Sequence, residues 1–415
     1  MNSKNFFKIW DNFSKGTLLM FFSGILVNIF ALVYQLFMIR KLSPTDYGTL
    51  NSLIALLALI SVPAGTIKRV IMKFTSKYHG LDKMPEVGAF VWASAKKVLV
   101  LGLVLFSFFL FGSKPIASFL QITSSLYIII LGLIMFMSII LPVTLGALNG
   151  LQRFWPLAIN MCIDRGFNLL LGVLFVSLGF RVVGALWGWF LAVTITVLVS
   201  YLPLREVIAK GKGKVIDFKD KYMFLFPVAT MLFCFMALTN IDIILVKHFF
   251  TPLEAGYYAI AQMIGKIVFL LPQAIALVLF PKASFNKAQK KDPKPLLRKS
   301  LTYSAALCFS AALVTIVFPS LVLKIIAGRV NPECIPLVRV FSINMGFLAL
   351  VGLGVDYFLS IHDFKFIPYM VFFIILEVFL IVAFHQSLLQ VILLVTLVSI
   401  TMFFVNLRLA KLVKQ

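Results

Sequence analysis

A chain of 415 residues that is 61% hydrophobic and only 13% charged is not an ordinary soluble domain, in which about a quarter of the residues carry charge. Its net charge of +23 would suggest nucleic acid in a soluble protein, but the basic residues here cluster between apolar runs. The four cysteines (Cys162, Cys234, Cys308, Cys334) have neither metal-ligand nor redox spacing, so zinc and disulfide frameworks are set aside.

The chain opens with a polar stretch, Met1 to Gly16, that contains three lysines. The apolar run behind it is long enough to remain as a span, so no cleavable signal is expected. Runs of about 20 apolar residues, enough to cross a hydrocarbon core of roughly 30 Å, then recur. They fall at 16–39, 47–66, 93–112, 125–148, 156–179, 182–203, 222–248, 258–280, 301–327, 336–360, 366–386 and 388–408. The links between them are short and leave no sizeable soluble domain.

Span 1 ends at Ser43-Pro44-Thr45-Asp46-Tyr47-Gly48, and span 7 ends at Thr251-Pro252-Leu253-Glu254-Ala255-Gly256. In each copy a hydroxyl residue caps a helix, proline suits the first turn, and an acid three residues on completes a capping box. Six spans separate the copies, so both halves enter the membrane in the same direction. That predicts parallel repeats about an axis along the membrane normal. The expected architecture is an all-α polytopic membrane protein of about twelve transmembrane helices in two parallel six-helix bundles. Residues 1–209 form the N-terminal bundle, 210–221 a basic cytoplasmic linker, and 222–415 the C-terminal bundle.

Charge sets the orientation. A cytoplasmic N-terminus places 28 of the 38 Lys and Arg residues inside. Eight fall outside (Arg40, Lys41, Lys114, Arg181, Lys247, Lys324, Arg329, Arg339) and two, Arg165 and Lys266, lie within spans. This asymmetry predicts cytoplasmic termini, and the basic loops serve to hold anionic lipid headgroups.

Charges inside spans are costly and need a reason. On span 5, Asn160, Asp164 and Asn168 recur every fourth residue as one polar stripe, flanked by Arg165. The stripe is either a cavity wall that meets polar groups of a substrate or a set of interhelical hydrogen bonds with an internal ion pair. Span 8 carries Gln262, Lys266 and Gln273. Lys266 suits an anionic group as a point charge, or else pairs with Asp242, Asp356 or Glu377. Those three acids, on spans 7, 10 and 11, are candidates for ion coupling, since membrane carboxylates bind Na⁺ or exchange protons.

Phe37 to Gly48 resembles the first-loop signature of polysaccharide-transporter proteins, the O-antigen/oligosaccharide flippase branch of the MOP exporter superfamily. Gly146-Ala147-Leu148-Asn149-Gly150-Leu151-Gln152-Arg153-Phe154 is similar to that family's segment after span 4. Asn240-Ile241-Asp242 with Thr251 to Tyr257 resembles its span 7 and following turn. The resemblance covers essentially the whole chain and implies a MOP/MATE-like fold. It also implies flipping of a polyprenyl-pyrophosphate-linked oligosaccharide from the cytoplasmic to the outer face of the plasma membrane. Glycosyltransferases and a polymerase of the same pathway would be partners, together with membrane lipids and no nucleic acid.

No phosphate-binding loop, dinucleotide turn or zinc helix appears in the sequence, so no cofactor is expected beyond a coupling ion, Na⁺ or H⁺. Two other readings stay open. A cation-coupled small-molecule exporter of the multidrug type should line its cavity with net acid, whereas spans 5 and 8 offer Arg165 and Lys266. A glycan polymerase or ligase needs a large external catalytic loop, and the predicted loops are short. A transporter rather than an enzyme is expected.

Overall fold

The computed structural model describes residues 3–211, 225–276, 279, 282–283, 289, 292, 294–361 and 363–412. All regular elements among them are helical. The first half of the chain runs α1 (Ser3–Lys41), α2 (Pro44–Ile60), α3 (Val62–Gly80), α4 (Met84–Phe111) and α5 (Ser113–Phe119). It continues with α6 (Leu126–Gly150), α7 (Phe154–Ser177), α8 (Arg181–Tyr201) and α9 (Arg205–Ala209). The second half comprises α10 (Leu225–Leu238), α11 (Ile241–Phe249), α12 (Pro252–Leu270) and α13 (Lys294–Val317). After these come α14 (Pro319–Ala327), α15 (Cys334–Ser360), α16 (Ile367–Ala383) and α17 (Leu388–Leu412).

Among the described residues, eight helices are long and apolar enough to cross a membrane, or up to ten if each of two bent pairs counts as one span. The chain is therefore a multi-pass, all-helical membrane protein. The sequence positions of expected spans 8 and 11 are held by α12 and by the shorter apolar α16. Of the expected linker 210–221, residues 212–221 lie outside the described residues.

The chain forms two compact units, Met1–Leu42 with Ile60–Lys221, and Ser43–Leu59 with Tyr222–Gln415. Unit composition thus differs from a simple cut between the halves in one segment, because helix α2 belongs with the second unit. Glycine accounts for the difference. A Cβ on Gly48 would stand 2.8 Å from both the N and Cα of Gly256, and one on Gly256 would run into the carbonyl of Pro44. Hydrogen at both positions lets the two backbones meet, as small residues do between membrane helices. Where α2 ends, Ser61 interrupts the helix and Pro63 sits in the first turn of α3, a position that tolerates a missing N–H.

In the first unit α6 is central and packs against α3, α4 and α8, while α7 lies along both α1 and α8. The α7–α8 contact is again close: a Cβ on Gly188 would be 2.7 Å from Gly172 N. Thr144 on α6 and Ser200 on α8 share a buried hydrogen bond of 2.6 Å. In the second unit α15 takes the central place, packed on α12, α13 and α17, and α16 covers α10, α11 and α17.

The span expected at 222–248 is not continuous. Helices α10 and α11 meet at a 46° bend. At the break Thr239 Oγ1 donates to Phe235 O (3.0 Å), and Asn240 Nδ2 donates to Met236 O (2.9 Å). Side-chain bonds of this kind to backbone carbonyls favour bending of a helix, and Asn240, at φ −144° and ψ −12°, has left helical geometry.

Candidate functional site

The break at Asn240 places a polar cluster inside the second unit. Asp242 lies in the first turn of α11, where the unpaired N–H groups of a helix start favour negative charge. It is buried, at 1% exposure, and α12 supplies its donors. Tyr258 Oη donates to Asp242 Oδ2 at 3.0 Å. One helical turn on, Gln262 Nε2 donates to Oδ1 at 2.9 Å and to Oδ2 at 3.2 Å. A further turn along the same face, Lys266 Nζ donates to Asn240 Oδ1 at 3.2 Å. The spacing 258, 262, 266 is the i, i+4, i+8 repeat that lines up one helix face.

Gln262 is fully buried, and both ends of its amide are engaged. Its Oε1 accepts from Asn51 Nδ2 on α2 at 3.1 Å. Glu377 on α16 is equally buried, and its Oε1 has no hydrogen-bond partner. Its charge and that of Asp242 act on each other, and Lys266 acts on Asp242 with the opposite sign. Two carboxylates and one ammonium therefore share a water-poor interior. A free carboxylate oxygen beside a second carboxylate is the arrangement that takes up a proton or a small cation, because like charges cannot both remain bare at low dielectric.

Of the sequence candidates, Asp242, Gln262, Lys266 and Glu377 come together here. Gln273 does not join them: α12 stops at Leu270, a turn follows at Leu271–Pro272, and Gln273 is exposed beyond it. Proline ends the helix because it has no N–H to donate and crowds the preceding turn. Asp356 is half-buried on α15.

The candidates on α7 belong to the first unit. Asn160 and Asn168 are buried, at 2% and 6% exposure. Asn160 Nδ2 donates back to Pro156 O at 2.7 Å, and the Oδ1 atoms of Asn160 and Asn168 have no partner. Asp164 and Arg165 form an ion pair of 3.5 Å, with the guanidinium side chain 44% exposed. An ion pair this open is weak, so Arg165 is available to another anion. Tyr34 on α1, whose buried hydroxyl has no hydrogen-bond partner, lies within reach of the Arg165 charge.

Two functional features escape sequence reading. Asn51 on α2 gave no signal, and its partner lies 211 residues away. Lys247 is fully buried in α11 and its Nζ has no hydrogen-bond partner; the carboxylate of Asp46 acts on it electrostatically. No group of three or more His, Cys, Asp or Glu able to hold a metal ion occurs among the described residues.

The comparisons agree with this architecture. A family model described as "Polysaccharide biosynthesis protein" matches residues 37–336. No curated protein matches the chain in sequence. Among solved structures, the chain is similar to an inward-facing multidrug resistance MATE family transporter of the MOP superfamily (TM-score 0.76, 13% identity, 93% of this chain and 94% of that one). It is also similar to the lipid II flippase MurJ in an inward closed conformation (TM-score 0.72, 14% identity, 95% and 87%). A MOP superfamily transporter from Pyrococcus furiosus, whose binding pocket is described as having reverse polarity, matches at TM-score 0.62 with 14% identity over 96% and 94%. At these identities the likeness concerns the fold. The chain belongs to the polysaccharide biosynthesis protein family and is built on the fold of MOP superfamily transporters.

Proposed function

We propose that the protein is a flippase that carries a polyprenyl-pyrophosphate-linked oligosaccharide across the plasma membrane by alternating access, for cell-surface polysaccharide biosynthesis. Family membership supports the pathway, and likeness to a protein described as a lipid II flippase supports a lipid-linked substrate. The observation that carries the reading is Lys266. Its ammonium is half-buried beside a broken helix, hydrogen-bonded to a neutral amide, Asn240, and attracted at longer range by Asp242, which leaves donors able to meet a pyrophosphate. Arg165 offers a second cation in the other unit, and the α7 stripe of Asn160, Asp164 and Asn168 offers polar groups suited to sugar hydroxyls. Gln262 and Gln273 complete the set of candidates.

Energy comes from an ion, Na⁺ or H⁺, taken up at Asp242 and Glu377, with Asp356 as a third candidate. Both termini are cytoplasmic, the spans number about twelve, and glycosyltransferases and the polymerase of the pathway act before and after the protein. An ion-coupled exporter of small molecules is the second reading, favoured by the fold-level likeness to a multidrug transporter and by the paired carboxylates. Lys266→Ala separates the two. The flippase reading expects lipid-linked oligosaccharide to accumulate on the cytoplasmic leaflet while the amount of folded protein is unchanged. Normal surface glycan in that variant removes Lys266 from the site.

A further inference from the structure

Gln262 does more than fill the core. Its single amide joins two features that never touch, the Asp242 carboxylate through Nε2 and the Asn51 amide through Oε1. Asn51 belongs to α2, an unusual segment: Ser43–Leu59 sits in the second unit, while the chain before and after it belongs to the first. A joint bounds it at each end, at Leu42–Ser43 and at Ser61. What seats it in the second unit includes the Gly48–Gly256 backbone approach and the Asn51–Gln262 hydrogen bond, with Asp46 acting electrostatically on the buried Lys247, and ten of its residues are buried. A segment jointed at both ends is one that can shift as a unit.

An amide is directional, because its NH₂ only donates and its oxygen only accepts. While Asp242 presents bare carboxylate oxygens, the Gln262 NH₂ is held toward them and its oxygen faces Asn51. When a proton occupies Asp242, one of the two oxygens that hold the Gln262 NH₂ becomes an O–H donor, and the amide can turn to offer its own oxygen to that new donor. The NH₂ of Gln262 then meets the NH₂ of Asn51, donor against donor. Either the bond breaks or Asn51 must turn as well, and both change how α2 is held. The charged or titratable groups that act on Asp242 are Lys266 and Tyr258 on α12 and Glu377 on α16; none of them contacts α2 through a hydrogen bond given by the structure. Gln262 is the link.

We propose that Gln262 is a positioning residue for transport, transmitting the state of the Asp242–Glu377 pair to α2 through Asn51, so that ion uptake loosens Ser43–Leu59 from α12. This rests on the coupling role assigned above to the two carboxylates. The test is a double-mutant cycle on purified protein in detergent. Its readout is the rate at which a water-soluble maleimide labels Leu50→Cys, a buried α2 position, in a chain whose four native cysteines are replaced by alanine.

Asp242→Ala and Asn51→Ala should each speed labelling roughly fivefold, the value of one net hydrogen bond near 1 kcal/mol. The double variant should also give roughly fivefold rather than the product of about 25-fold. In a Gln262→Met background both single effects should vanish. A multiplicative double variant, or single effects that survive Gln262→Met, overturns the proposal. If Asp242→Ala fails to fold, the Asn51→Ala/Gln262→Met pair decides: equal, non-additive effects are expected, and additive ones overturn the link. If the cycle holds while the parent flips no lipid-linked glycan, only the substrate reading fails; if the parent flips and the cycle is additive, only the link fails.

Discussion

Replacing Gly48 with alanine is the sharpest perturbation of the seam that holds α2. The new methyl would stand 2.8 Å from Gly256 N and Cα and 3.1 Å from Ala255 C. Carbon contacts settle at about 3.5–4.0 Å, so a gap of at least about 0.7 Å must open. All three obstructing atoms are backbone, and no side chain can rotate to make room. Overpacking of this kind typically costs about 1–3 kcal/mol, equivalent to a rise of roughly 5- to 150-fold in the undocked population of α2. The labelling rate of Leu50→Cys measures that population directly. Gly65→Ala is the control, since its added methyl meets nothing within 4 Å, and it should leave the rate unchanged. Labelling of Gly48→Ala at the parent rate would refute the reasoning, because it would mean that the helices already stand apart.

Thr251→Ala removes a full capping box, in which Thr251 Oγ1 accepts from Glu254 N and Glu254 Oε2 accepts from Thr251 N at 3.0 Å. It should cost about 1 kcal/mol and lower the melting temperature by about 1 °C, read by thermal unfolding in detergent. Glu377→Gln removes a buried charge that acts against Asp242 and lacks a partner on one oxygen. The melting temperature should hold or rise while ion-dependent flipping is lost, and unaltered ion dependence would dismiss Glu377 as a coupling group. Lys247→Met keeps the shape of the side chain and deletes an ammonium with no hydrogen bond. Replacing a poorly satisfied buried charge by a matched apolar group is neutral or stabilising, so a fall of several degrees would show that the attraction of Asp46 outweighs desolvation.

The helix starts at Ser43 and Thr251 were legible because capping chemistry is local: hydroxyl, proline and acid fall within four residues. In the structure Asp46 N donates to Ser43 Oγ at 3.1 Å, and the Thr251 box closes fully. The intramembrane polar residues were equally visible one at a time, since each stands out against apolar neighbours. Their grouping was not visible. Asp242, Gln262 and Glu377 come from three helices, and Asp242 stands just beyond the break at Asn240, which hydropathy cannot see. Membership of α2 in the second unit was hidden for a different reason. In the sequence Gly48 and Gly256 only close the two copies of a repeated motif, and nothing local shows that their missing side chains let the two copies touch each other.

The central claim is that this chain moves a lipid-linked glycan between leaflets. The most direct measurement reconstitutes it in vesicles that hold a labelled polyprenyl-pyrophosphate oligosaccharide and follows the label in each leaflet under an imposed Na⁺ or H⁺ gradient. The account predicts net transfer that requires the chain, responds to one of the two gradients, and falls sharply in Lys266→Ala. A leaflet distribution identical with and without the protein would contradict it.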